Sequence, residues 1–158
     1  MSMGLNRIGR LALVGLLGSC GGGNQLPPVP PSYSAASIGA DGAKQAGPLG
    51  PGMIVSIYGA HLGPDAPCIG KPDANKRETP SALRPSQTPA ERMVFPETLC
   101  DCEVRVDGMA AGLLYVSPGQ INFKIPQQIG VSGTAKIQVT HRGSRGPEVV
   151  VPLGGSTL

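Results

Sequence analysis

Tryptophan is absent, and aromatic residues make up only 3% of the 158 positions. A carbohydrate platform of stacked aromatic rings is thereby excluded, and any core must be built from Val, Ile, Leu and Ala. Charge is scarce too, with Lys, Arg, Asp and Glu at 15% and a formal net charge of +3. Two of the 13 basic residues, Arg7 and Arg10, lie in a leader expected to be removed, which leaves 11 Lys+Arg against 10 Asp+Glu. Nucleic-acid-binding domains carry a clear basic surplus or stripe. None is visible here, so no nucleic-acid partner is expected. No stretch approaches the roughly 20 apolar residues that a membrane-spanning helix needs.

Glycine and proline are abundant instead, at 24 and 17 residues. An interior Gly costs a helix about 1 kcal/mol and an interior Pro about 3. Short strands joined by turns are the architecture such a chain favours, and the length suits a single domain.

The leader "MSMGLNRIGRLALVGLLGSC" combines Arg7 and Arg10 with a seven-residue run, Leu11 to Leu17, and then small residues. That is the layout of a signal peptide. Leu17-Gly18-Ser19-Cys20 resembles the bacterial lipobox, in which the Cys thiol is lipidated and the preceding bond is cut. The bland alternative is an ordinary secretory signal with Cys20 incidental. The stretch that follows favours lipidation. "GGGNQLPPVPPS" (Gly21–Ser32) has no periodicity, and Gly followed by clustered Pro gives an extended tether. The expected organisation is a signal peptide over 1–19, a lipidated Cys20 with a tether to residue 33, and one domain over 34–158. Gly21, rather than Asp, follows Cys20, which leans toward the outer membrane or cell surface.

Within the domain, period-two alternation marks strands. In "GMIVSIYG" (Gly52–Gly59), Met53, Val55 and Ile57 share one face. In "CEVRVDG" (Cys102–Gly108), Cys102, Val104 and Val106 alternate with Glu103, Arg105 and Asp107, and Asp107-Gly108 is a turn signal. "LLYVSPGQINFKIP" (Leu113–Pro126) reads as a hairpin. Pro118 and Gly119 fit the two central positions of a type II turn. Ala135, Ile137 and Val139 point inward from a strand in which Lys136, Gln138 and Thr140 face water, and "PEVVVPL" (Pro147–Leu153) supplies the last strand. "SAASI" (Ser34–Ile38) is a candidate first one. Six or seven short strands without a convincing helix predict an all-β antiparallel sandwich. The polar, Pro-rich Gly63–Thr98 segment reads as a mobile loop insertion, with one helical turn near Pro89 to Met93.

"GPLGPGMIVSIYGAHLGP", "FPETLCDCEVRVDGMAAGLLYVSPGQINFKIP" and "SGTAKIQVTHRG" resemble a domain family abundant in Acidobacteria, the Solibacter uncharacterised C-terminal domain. The likeness runs from about Ser34 to Leu153. The family is similar to the IPT/TIG class, so the resemblance implies an immunoglobulin-like fold in an exported protein. It implies no particular activity. This chain departs from the family in its lipobox, in the length of the segment before Phe95, and in the "CDC" at Cys100–Cys102.

With Cys20 lipidated, Cys68, Cys100 and Cys102 remain. In an exported protein, cysteines at loop–strand junctions suggest a disulfide. Alternation turns Cys102 inward as a small hydrophobe, so Cys68–Cys100 is the expected bridge, with Cys68–Cys102 as the alternate. The sharper reading is a metal site built from His61, Cys68, Cys100 and Cys102, because thiolates suit zinc or copper(I). The spacing matches no zinc motif, so neither a metal nor a cofactor is expected. Catalytic signals are sparse. His141 sits in "THRGSRG", where a solvated turn histidine is the default. Ser117 lacks a nucleophile elbow, and "GPLGPG" leads into a strand, whereas a phosphate loop opens a helix. Asp65, Asp73 and Glu78 fall in the insertion, where solvation is expected. The reading is a non-enzyme: a lipid-anchored envelope module that binds a protein or polymer through the Gly63–Thr98 insertion. The alternatives are a metal-handling lipoprotein and a purely structural spacer.

Overall fold

The structure, a computed structural model, describes residues 26–40, 48–78 and 92–154. The leader and Cys20 lie outside the described residues, as do positions 79–91. In chain order the described strands are β1 (Ile38–Ala40), β2 (Ile54–Tyr58), β3 (Cys68–Ile69), β4 (Asp73–Arg77), β5 (Met93–Val94), β6 (Thr98–Leu99), β7 (Cys102–Val106), β8 (Met109–Ala110), β9 (Gly112–Val116), β10 (Gln120–Lys124), β11 (Ser132–His141), β12 (Ser144–Arg145) and β13 (Val149–Gly154). One sheet runs β1-β2-β10-β9-β3. In the other, β11 pairs with β12 and β13 along one edge and with β7 along its other edge, and β7 in turn carries β6 and β8. A two-stranded ribbon, β4-β5, stands apart from both. The protein is an all-β antiparallel sandwich.

The alternating residues do what their period dictates. Val55, Ile57, Leu113, Val116, Ile121 and Phe123 from one sheet meet Cys102, Val104, Val106, Ala135, Ile137, Val139 and Val151 from the other in a single buried core. Each buried aliphatic side chain contributes about 1.5–3 kcal/mol. A bulge lets β9 bury both Leu113 and Val116. Opposite Asn122 and Phe123 of β10 stand Tyr115 and Leu113, with Leu114 as the extra residue. Without that insertion the three-residue spacing would send one of the two to solvent.

Tight turns close three hairpins with positive φ at both central residues: Cys100-Asp101 (50° and 59°), Asp107-Gly108 (49° and 79°) and Arg142-Gly143 (48° and 78°). Mirror-image turns of this kind match the twist of the paired strands. The β9–β10 turn differs from the expected type II, because Gly119 is not at positive φ. The Ser117 hydroxyl accepts the Gln120 N–H at 3.1 Å, and the Gln120 carbonyl accepts the Ser117 N–H at 2.8 Å. A side chain therefore closes a corner that a glycine was expected to close.

Two other expectations need correction. Ala35–Ser37 form a 3-10 turn, and the first strand begins only at Ile38. The Ser37 hydroxyl donates to the Ser34 carbonyl (2.7 Å) and accepts the Ser34 N–H (3.0 Å), which curls the backbone locally. The Gly63–Thr98 segment, expected to be a structureless loop, supplies β3, β4 and β5 and the start of β6. Of the expected helical turn at 89–93, positions 89–91 lie outside the described residues, and Met93 is in β5.

From Pro28 onward the chain is held against the sandwich. The Ser144 hydroxyl donates to the Pro28 carbonyl at 2.9 Å. Ser32 pairs with Ala60, and the Tyr33 hydroxyl accepts the Val139 N–H at 2.8 Å while donating to the Pro147 carbonyl. The fit leaves no room at Gly59, where a Cβ would stand 2.2 Å from the Ser32 carbonyl oxygen. Residues 28–33 thus form a strap that touches both sheets, rather than the stand-off tether the composition suggested.

Candidate functional site at the two ends of the sandwich

Antiparallel pairing gives the sandwich two distinct ends. At one, the chain after β2, the β9–β10 turn and the β11–β12 turn converge. Gly59 N–H donates to the Gly119 carbonyl at 3.1 Å, Leu62 N–H to Pro118 at 3.0 Å, and Arg142 N–H to Asp101 at 2.9 Å. Here the fold brings His61 and His141 together. They line a cleft of about 180 Å³ with Asp65, Arg142 and the strap residues Pro28 and Val29.

His141 is not the solvated turn residue expected of it. It closes the inward series Ala135, Ile137, Val139 and is 8% exposed. Its Nε2 is buried and has no hydrogen-bond partner among the described residues. Burial holds its pKa below the ordinary imidazole value. The neighbouring Arg142 charge acts in the same direction, and a hydrogen bond with the His61 backbone and the Asp101 carboxylate oppose them.

Directly across from His141 in the β7–β11 register lies Cys102. Its thiol is fully buried and donates to the Leu62 carbonyl at 2.8 Å. Burial first, and the Asp101 charge second, push its pKa up to about 12. Such a thiol is a packed hydrophobe and not a nucleophile. Cys68 and Cys100 are joined in a disulfide with their Cα atoms 6.5 Å apart. It ties β3, at the edge of the first sheet, to the β6–β7 turn of the second. The alternative metal set of His61, Cys68, Cys100 and Cys102 is not assembled in this arrangement. Two of its thiols are oxidised and the third is committed to a backbone carbonyl. Among the described residues, no group of three or more His, Cys, Asp or Glu side chains stands at metal-binding spacing.

At the opposite end stands the β4–β5 ribbon. The chain leaves β3 through Gly70, where a Cβ would stand 1.9 Å from the Leu113 carbonyl oxygen, so the backbones lie in contact. The ribbon is then held by a buried ion pair. Lys124, at the end of β10, is 4% exposed and places its Nζ 2.6 Å from Glu78 Oε2 and 3.0 Å from the Met93 carbonyl. Gln127 donates to the same carboxylate oxygen at 3.0 Å. Glu78 is therefore not the solvated loop carboxylate expected, and Lys124 does not face water. Asn75, Lys76 and Arg77 on β4 are exposed. Asp73 accepts the Asn75 N–H at 2.9 Å and lies 3.7 Å from Lys76.

Ser117 and the polar residues near it have structural roles. Ser117 closes its turn, while Gln120 (2.8 Å) and Ser56 (3.0 Å) both donate to the Asn122 side-chain oxygen on the outer face of the first sheet. No helix among the described residues is long and apolar enough to cross a membrane. No known protein family matches the chain, and neither a curated protein nor a solved structure matches it.

Proposed function

We propose that this protein is a lipid-anchored, non-catalytic immunoglobulin-like module of the bacterial cell envelope, which binds a protein or polymer through the β4–β5 ribbon. The observation that carries the reading is the ribbon's mounting. The Cys68–Cys100 disulfide fixes the insertion at one end of the sandwich and the Lys124–Glu78 pair fixes it at the other. An exposed element on a rigid frame is a common means of presenting a binding surface.

The strand order supports the immunoglobulin-like part. If β1, β2, β7, β9, β10, β11 and β13 are lettered A to G, the sheets read A-B-E-D and G-F-C, the arrangement of constant-type immunoglobulin domains. The resemblance of the Leu113–Pro126 hairpin to the Solibacter family points the same way. The anchor rests on the lipobox at Leu17–Cys20, and Gly21 favours the outer membrane or cell surface over the inner membrane. The non-enzymatic part rests on the protonated, buried Cys102 and on the role of Ser117 in closing its own turn. A fold alone names no ligand.

The test is affinity capture from envelope extract with the mature chain, comparing wild type with the exposed double variant Lys76→Glu/Arg77→Glu. A partner recovered by the wild type and lost by the variant supports the binding module. Recovery of nothing by either form favours a structural spacer. Metal retained in stoichiometric amount after purification would revive the metal-handling alternative.

A further inference from the structure

The strap determines where an anchor at Cys20 must pull. Six peptide units separate Cys20 from Leu26, and each residue of chain spans at most about 3.3–3.6 Å. Leu26 therefore lies within roughly 20 Å of the lipid-bearing residue, whatever path the intervening chain takes. Leu26 leads into Pro28 and Val29, which border the histidine cleft, and Ser144 bonds the Pro28 carbonyl to the β11–β12 hairpin. The ten residues of β11 extend for about 33 Å, so the sandwich is longer than this leash. A domain held so closely by one end cannot present both ends to the bilayer alike.

The surface at the leashed end suits that position. Leu26 is 89% exposed and Val29, three residues on, is 56% exposed. Such apolar side chains seat in the headgroup–acyl boundary. Arg142 and Asp65, both exposed, border the cleft beside Val29 and offer charges of both signs. A zwitterionic phospholipid headgroup, with a phosphate and an amine, complements that pair, whereas a purely anionic surface would meet Asp65 unfavourably.

We propose that the end of the sandwich formed by Leu26, Val29, Asp65 and Arg142 is a membrane-facing surface that seats among zwitterionic phospholipid headgroups and turns the β4–β5 ribbon away from the bilayer. The proposal rests on the lipid-anchor reading. Because the chain has no Trp, single tryptophans report position without background. The mature acylated chain is reconstituted into phosphatylethanolamine–phosphatidylcholine vesicles whose acyl chains carry bromine near the headgroup. Val29→Trp is compared with Ile54→Trp, at the ribbon end, and with Val150→Trp on β13. The expected result is quenching of Val29→Trp about twofold or more above both references, as for side chains buried in the boundary region. Equal quenching at all three positions in an acylated chain overturns this proposal alone. Stronger quenching at position 54 reverses the orientation and overturns it as well. A mass spectrum showing no acyl group on Cys20 overturns the anchor reading, and this proposal with it.

Discussion

Lys124 and Glu78 are 46 residues apart in the chain and 2.6 Å apart in the fold, with the lysine almost wholly buried. The ribbon's attachment turns on this pair, because removing Glu78 takes a direct carboxylate partner from a lysine that is 4% exposed. Cutting a buried pair in half typically costs about 3–5 kcal/mol. Glu78 is about a quarter exposed and the Met93 carbonyl remains on Lys124, so Glu78→Ala should fall at the low end of that range. The double variant Lys124→Met/Glu78→Met should lose less than Glu78→Ala alone. Urea denaturation of the three forms checks the order.

Tyr33→Phe should loosen the strap. The hydroxyl accepts the Val139 N–H and donates to Pro147, so its loss strands a backbone donor in the second sheet. A cost of about 1–3 kcal/mol is expected. Hydrogen exchange should quicken at Val139 more than at Ile137, whose neighbourhood the substitution leaves intact.

His141 predicts a specific pH dependence. The fold favours its neutral form and holds its pKa below 6.5. The unfolded chain therefore binds the proton first as pH falls, which pulls the equilibrium toward unfolding. The contribution of His141 is complete above about pH 6.5 and declines as pH drops from there toward the lower folded value. Denaturation midpoints between pH 7.5 and 5 should fall for the wild type and change less for His141→Gln.

The three cysteines of the domain should separate by chemistry. Cys102 should resist alkylation in the native state at pH 8 and react only in denaturant, because its pKa is about 12 and it is fully buried. Opening the Cys68–Cys100 bridge, which spans 32 residues, by Cys68→Ser/Cys100→Ser should cost about 3–4 kcal/mol. Peptide mapping without reductant, together with denaturation of the double variant, checks both statements.

Where a strand buries one face, its sequence announced it. Val104 and Val106, or Ala135, Ile137 and Val139, repeat at the period of the pleat, and their partners fall on water. Cys102 followed from the same rule, and the disulfide from the placement of Cys68 and Cys100. His141 also obeyed the period, as the next odd-numbered residue of β11, but its position beside Arg142-Gly143 made it read as part of the turn. Strands β3 to β6 carried no comparable signal. Cys68–Ile69 join β9 through the backbone while Ile69 stays 72% exposed, and Asp73–Arg77 have no apolar face to alternate. The burial of Lys124 was invisible for another reason. It depends on Glu78, and nothing local to either residue names the other.

The disulfide has one more consequence. Both of its cysteines lie in the single connection between β2 and β7, so residues 68–100 form a covalently closed ring attached to an otherwise linear frame. A peptide bond broken anywhere inside that ring yields no free fragment, since each half stays fastened to the other through sulfur. Insertions or deletions between β4 and β5 change the circumference of the ring, while the β2–β10 and β7–β11 pairings lie outside it. The exposed face of β4 within the ring, Asn75–Arg77, can thus vary in sequence at little cost to the sandwich, whereas Gly70 and Glu78 cannot. Under the envelope reading proposed above, a single proteolytic cut on this exposed face would leave the chain in one covalent piece.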